Sequence, residues 1–157
     1  MATSRDLPND RLAVGQLLVR LLRQFRVELL APGVEAGFGD IREAHLQIFG
    51  NLGVDGIRLT ELAARAQLSP AATSELVDDL QRLGYLERHS DPSDGRAKLI
   101  HPTPRGRRAL DAAGDRVAAI EQRWAELVGR PAFDAALKTL HHLVEDNATQ
   151  NHSSAAQ

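Results

Sequence analysis

At 157 residues the chain has the length of one domain with a sizeable core and is too short for a multidomain enzyme. Its 43% hydrophobic and 25% charged residues suit an ordinary soluble protein, its apolar runs are too short to cross a bilayer, and the lack of cysteine excludes disulfides, thiolate metal sites and a cysteine nucleophile. A formal net charge of -2 with only 4% aromatic residues advertises no polyanion partner for the chain as a whole, so any charge that meets nucleic acid has to be local.

The opening stretch MATSRDLPND lacks the apolar core of a signal peptide; a cytoplasmic location and no membrane partner are expected. From about Pro8 to Leu30, Leu18, Leu21, Leu22, Phe25 and Leu29 recur at three- and four-residue steps, which predicts a helix with Arg20, Arg23 and Arg26 interleaved. Ala31-Pro32-Gly33 stops it. A second helix is expected from Asp40, with Glu43 completing a capping box and His45, Ile48, Phe49 and Leu52 following, to an end near Gly53. Thr60 is expected to cap a short helix through Ala66, and Ser69-Pro70 to open another that runs to about Leu83. Tyr85 to His89 and Ala97 to His101 read as short strands around the turn-rich Asp91-Pro92-Ser93-Asp94-Gly95. Thr103-Pro104 repeats the cap-plus-proline start and opens a long helix with Val117, Ile120, Trp124 and Leu127 on one side, ending by Gly129. A last helix, about Pro131 to Asp146, carries Phe133, Leu137, Leu140 and Val144, and the small polar tail from Thr149 to Gln157 is expected to be disordered. No repeat at solenoid spacing is visible.

Two short helices joined by a tight turn and followed at once by a hairpin describe a winged helix-turn-helix, whose second helix enters the major groove. The simpler alternative, a helical hairpin in a bundle, does not explain why the hairpin tip and both cap-proline starts fall where a wing needs them. The fold class is therefore all-α with a small β-wing, a winged helix-turn-helix flanked by further helices.

The stretch Leu59 to Leu110, LTELAARAQLSPAATSELVDDLQRLGYLERHSDPSDGRAKLIHPTPRGRRAL, resembles the DNA-binding region of the MarR family of bacterial transcriptional regulators, and the LVDDLQRLGYLER run and DPSDGRAKL wing carry the likeness. With the flanking helices it covers nearly the whole chain. The resemblance implies a single domain over 1–148, with the winged helix-turn-helix at about 57–108, flanking helices at about 8–31 and 103–148 that form a helical dimerisation domain, and a homodimer that reads a pseudo-palindromic site on double-stranded DNA in response to a small-molecule effector.

Charge can be counted by segment. Ile57 to Arg108 holds nine Lys or Arg against seven Asp or Glu, a net of +2, and the remainder sums to -4. Within that window the recognition helix is net negative, with Arg82 against Glu75, Asp78 and Asp79, so the wing is the positive part. The helix's first turn has no Lys, Gln or Arg. Direct readout would fall to the Thr73 and Ser74 hydroxyls and the methyls of Ala71 and Ala72, beside the capping Ser69; Glu75 could accept from a cytosine amine. The DNA-contact candidates are completed by Arg88, Asp94, Arg96 and Lys98 in the wing. The resemblance implies that Arg96 enters the minor groove, and Asp94 is expected to orient it by a salt bridge; the bland alternative is a solvated turn.

By the same resemblance the effector pocket would draw on Phe25, Phe38, Arg42, His45, Phe49 and Trp124, although for each of these a hydrogen-bonded core histidine or an ordinary core aromatic is the competing explanation. The effector would be small, partly apolar and anionic, met by Arg42. His141 and Glu145 stand one helical turn apart at a spacing that can chelate zinc, but two ligands are not a site, and neither a metal nor a cofactor is expected. With no phosphate-binding loop, nucleophile elbow or HExxH motif, no enzyme activity is expected. The rival to the regulator is a protein of the same fold that has lost DNA binding and uses the dimer pocket as a small-molecule carrier or enzyme.

Overall fold

The structure is a computed structural model that describes residues 12–33, 35–53 and 55–154. The chain divides into two compact units, Met1–Arg116 and Val117–Gln157. The element order is α1 (Val14–Leu30), α2 (Leu46–Phe49), β1 (Ile57–Arg58), α3 (Leu59–Ala66), α4 (Pro70–Arg82), β2 (Leu86–Asp91), β3 (Asp94–Pro102), α5 (Pro104–Val128) and α6 (Arg130–Ser154), with 3-10 turns at Ala31–Gly33 and Glu43–His45. The mostly helical fold with one small sheet is the predicted class.

In the first unit, α1 begins where Gln16 reaches back to accept the Ala13 N–H (2.9 Å); the expected start at Pro8 lies outside the described residues. The second helix differs most from expectation. It is a 3-10 turn followed by a single turn of α-helix, and the side chains expected to cap it are used elsewhere. His45 Nδ1 accepts the Arg42 N–H (3.0 Å), so the capping residue is Arg42 and not Asp40. Asp40 accepts from Tyr85 and Arg105 instead, and Glu43 pairs with Arg26 at 2.7 Å.

The helix-turn-helix forms as predicted, except that Arg58, not Thr60, stands at the start of α3. Its turn is made by Gln67 in the left-handed conformation (φ 55°), with the Leu68 N–H returning to the Ala63 carbonyl at 3.0 Å. Ser69 caps α4 as expected, its Oγ accepting the Ala72 N–H at 3.1 Å. The wing strands are longer than predicted and β3 is central: β1, invisible to a pattern search at two residues, pairs Ile57 with Ile100, and β2 pairs Leu86 with Pro102 and Arg88 with Ile100. Ile48, Ile57, Leu62, Val77, Leu80, Tyr85, Leu86 and Ile100 form the core of this unit. Thr103 begins α5 as predicted, its Oγ1 accepting the Gly106 N–H at 3.0 Å and donating to the Gly84 carbonyl at 2.6 Å.

In the second unit Ile120, Ala125 and Phe133 are buried, and Gly129 (φ 91°) separates the two long helices, where the left-handed backbone favours glycine. α6 continues to Ser154, past the point at which a disordered tail was expected; residues 155–157 lie outside the described ones. Among the described residues no helix is long and apolar enough to cross a membrane.

Candidate nucleic-acid interface

The exposed start of α4 is set by its own cap. Ser69 spends its hydroxyl on Ala72, and Thr73 is fully buried with its Oγ1 donated to the Ser69 carbonyl at 2.9 Å. Thr73 therefore offers DNA no hydroxyl, a correction to the sequence expectation: a Thr inside a helix can bond back to the carbonyl four residues earlier, and here that places it in the core. Ala71 and Glu75 are exposed, and Ala72 and Ser74 half-buried, so the face presented at this end is small and neutral apart from Glu75.

The other two carboxylates of α4 are both engaged within the protein. Asp78 accepts from Arg88 Nη2 at 2.6 Å. Asp79 accepts from His45 Nε2 at 2.7 Å and from Arg42 and Arg82. The hydrogen bond from His45, reinforced by Arg42, draws the Asp79 carboxyl down to about 2. Because Nδ1 of His45 accepts an amide hydrogen, the ring proton sits on Nε2 and is the one donated to Asp79.

The wing is held by a buried carboxylate of its own. Asp91 accepts from the Ser93 hydroxyl (2.7 Å) and amide (2.8 Å) and from Arg58 Nε (2.8 Å), and these bonds bring its carboxyl to about 2. Beyond it Arg96 is exposed at the tip. Asp94 accepts the Arg96 backbone N–H at 3.1 Å and lies 3.9 Å from Arg58; among the described residues no ion pair joins it to the Arg96 guanidinium, so the expected orienting salt bridge is replaced by a turn hydrogen bond. Lys98 donates to Ser90 Oγ at 3.0 Å. Arg88, expected to face DNA, instead donates to Gln81 and Asp78 of α4. The His89 and His101 rings stack at 5.0 Å beside Glu87.

Of the six pocket candidates, five lie in the first unit and Trp124 lies in the second. Phe49 meets Tyr85 edge-on at 5.8 Å and Phe38 lies 6.2 Å from the same ring, as parts of the winged-helix core. His45 has no exposed surface, and both ring nitrogens are bonded, which matches the core-histidine alternative. Arg42 keeps a side chain 67% exposed. Phe25 belongs to α1, and Trp124 to the second unit. His141 and Glu145 pair at 3.1 Å, and no group of three metal-capable side chains occurs among the described residues.

Sequence reading missed a second polar node. Arg105 donates to the Leu83 carbonyl (2.6 Å), Asp40 (3.1 Å) and the Tyr85 hydroxyl (3.0 Å), and its guanidinium lies 4.3 Å from the Tyr85 ring centre. Burial and the bond to Asp40 push the Tyr85 phenol up to about 12, and although burial alone would raise Asp40, Tyr85 and Arg105 hold it below the usual carboxylate range. No local spacing announces a contact that joins residues 65 positions apart.

The sequence profile of the MarR family matches residues 40–97. Among solved structures, CouR from Rhodococcus jostii RHA1 bound to p-coumaroyl-CoA is 30% identical, with 83% of this chain and 90% of that one covered at a TM-score of 0.66. A MarR-family transcriptional regulator from Rhodococcus sp. RHA1 is 28% identical, covering 89% and 96% at a TM-score of 0.67. The transcriptional repressor CouR bound to a 23-mer DNA duplex is 27% identical, covering 84% and 92% at a TM-score of 0.64. No curated protein sequence matches.

Proposed function

This chain belongs to the MarR family of transcriptional regulators, and from that premise we propose that it acts as a homodimer on a pseudo-palindromic DNA site and is released or engaged by a small anionic ligand. The observation that carries the reading is the division of charge at the reading head. Asp78 and Asp79, the carboxylates that would have opposed phosphate, are bonded inside the protein, while Arg96 stands exposed at the wing tip. Direct readout then rests on Ala71, Ala72, Ser74 and Glu75, and phosphate or minor-groove contact on Arg96 and Lys98. A dimer places two such heads on half-sites about 34 to 36 Å apart, and a ligand that favours one dimer geometry over another changes that spacing.

The test is binding to DNA flanking the protein's own coding region, followed by fluorescence anisotropy across a salt series. A discrete complex that weakens steeply with salt is expected, and Arg96→Ala should weaken it about tenfold or more, since a groove-inserted arginine contributes on the order of 1 to 3 kcal/mol. Absence of any complex at low salt would overturn the reading. For the ligand, CouR with p-coumaroyl-CoA supplies the first class to try, an aromatic acyl thioester of coenzyme A. Such a molecule is apolar at one end and anionic at the other, and the largely exposed Arg42 guanidinium is the cation that would meet its anionic end. Calorimetry should show binding that lowers DNA affinity; no heat with any aromatic acyl-CoA removes that class. The rival, a carrier or enzyme that no longer binds DNA, rests on the donor-poor first turn of α4, and it gains no general base from His45, whose ring nitrogens are both bonded.

A further inference from the structure

We propose that Arg88 is a positioning residue that straps the wing to the recognition helix and cancels the charge of Asp78, and that it makes no contact with phosphate or base. The proposal rests on the DNA-binding reading above. Side chains alternate across a strand, so Arg88 shares its face of β2 with Leu86, and its partner across the ladder is the buried Ile100. That is the face packed on the core, where α4 contributes Val77 and Leu80; Glu87 and His89 take the opposite face.

From there the guanidinium spans one turn of α4. Nη1 donates to Gln81 Oε1 and Nη2 to Asp78 Oδ1 at 2.6 Å. Two donors fixed in one plane, meeting acceptors three residues apart on a helix, define both the height of the strand along α4 and its rotation about it. A single-point ammonium would define neither. The ion pair also matters for charge: Asp78 has a side chain 63% exposed on the helix that must approach a phosphate-lined groove, and without its partner it would repel the duplex. The wing therefore divides its cations: Arg88 serves the protein, and Arg96 and Lys98 are left for DNA.

The two roles separate in a double-mutant cycle on the full chain, read by anisotropy with the fragment defined above over a salt series. Arg88→Gln should weaken binding roughly fivefold or more in the wild-type background but less than about twofold in Asp78→Asn, because the second background has no charge left to cancel. Within the Asp78→Asn background Arg88→Gln should leave the slope of log affinity against log salt unchanged, whereas loss of a true phosphate contact lowers it by about 0.9. Equal losses in both backgrounds, with the lower slope, would overturn the proposal. Amide hydrogen exchange on the free protein supplies an arm that needs no DNA: Arg88→Gln should speed exchange severalfold across β2 and β3, and unchanged exchange would also overturn the strap. If the wild type binds no fragment at all, the regulator reading fails while this arm still decides the strap.

Discussion

At the scale of single residues, Asp79 has the most consequences. Its two oxygens receive His45, Arg42 and Arg82, three donors from two separate stretches of chain, so the middle of the recognition helix is tied to the segment that precedes α2. His45→Ala removes a fully buried ring, leaves the Arg42 amide unbonded and leaves Asp79 Oδ2 with Arg42 as its remaining donor. A loss of about 2 to 4 kcal/mol follows, which a thermal melt would read as a fall of about 5 to 15 °C. A melt within a degree or two of wild type would return His45 to the list of ligand contacts. The pH dependence has a definite sign. A carboxylate drawn down to about 2 contributes stability above its ordinary value near 3.8 and loses it as pH falls toward 2. Asp91 sits at about 2 as well, so acid unfolding should steepen between about pH 4 and 2, and Asp79→Asn should flatten the unfolding free energy over that window. An unchanged slope would mean the pairing is absent in solution. Bonds of this kind explain what the sequence concealed: the Ser69 and Thr103 caps act within three or four residues and are visible as spacing, while His45 finds Asp79 34 residues away through the fold.

At the scale of elements, the same distinction separates what was predicted from what was not. Helices long enough to show a 3.6-residue period, and those opened by a cap and a proline, appear where the pattern puts them. The segment from Asp40 to Gly53 does not, because its capping side chains have stronger partners: Asp40 is taken by Tyr85 and Arg105, and what remains helical is one turn. β1 is too short to show alternation and exists because Ile57 lies against Ile100. The junction between wing and α5 is tight in a way that glycine records. A Cβ on Gly106 would lie 2.1 Å from the Tyr85 carbonyl oxygen, a backbone atom that is already bonded by the Thr103 amide, whereas one on Gly114 of the same helix would meet nothing within 4 Å. Gly106→Ala should destabilise by about 1 to 3 kcal/mol, and Gly114→Ala should stabilise by up to about 1 kcal/mol through helix propensity. Chemical denaturation of the two variants measures both signs; equal effects would show that the junction is looser than the distance implies.

At the scale of the whole molecule, the apolar faces of two helices stand exposed among the described residues. On α1, Val14, Leu18, Leu21 and Leu22 are 46% to 67% exposed, and on α6 so are Leu137, Leu140 and Val144, at 42% to 67%. Continuous apolar surface of this kind is costly on a monomer and is the usual signature of a protein partner. The periodicity that revealed these helices also revealed their apolar faces, but a sequence pattern does not distinguish a face turned into its own core from one left for a second copy; the exposure does. We expect a second copy of the chain to cover them, which is also what the proposed two-headed reading of DNA requires. Sedimentation should give twice the chain mass, and the melting temperature should rise with protein concentration, since association stabilises by mass action. Leu22→Glu, which sets a charge in the α1 face without disturbing any described core contact, should yield single chains whose melting temperature no longer depends on concentration. It should also bind a half-site with the affinity of wild type but lose the gain that a full pseudo-palindrome brings. A wild-type chain that sediments as a monomer yet binds the full site undiminished would separate DNA recognition from the dimer and leave the apolar faces of α1 and α6 for a different partner.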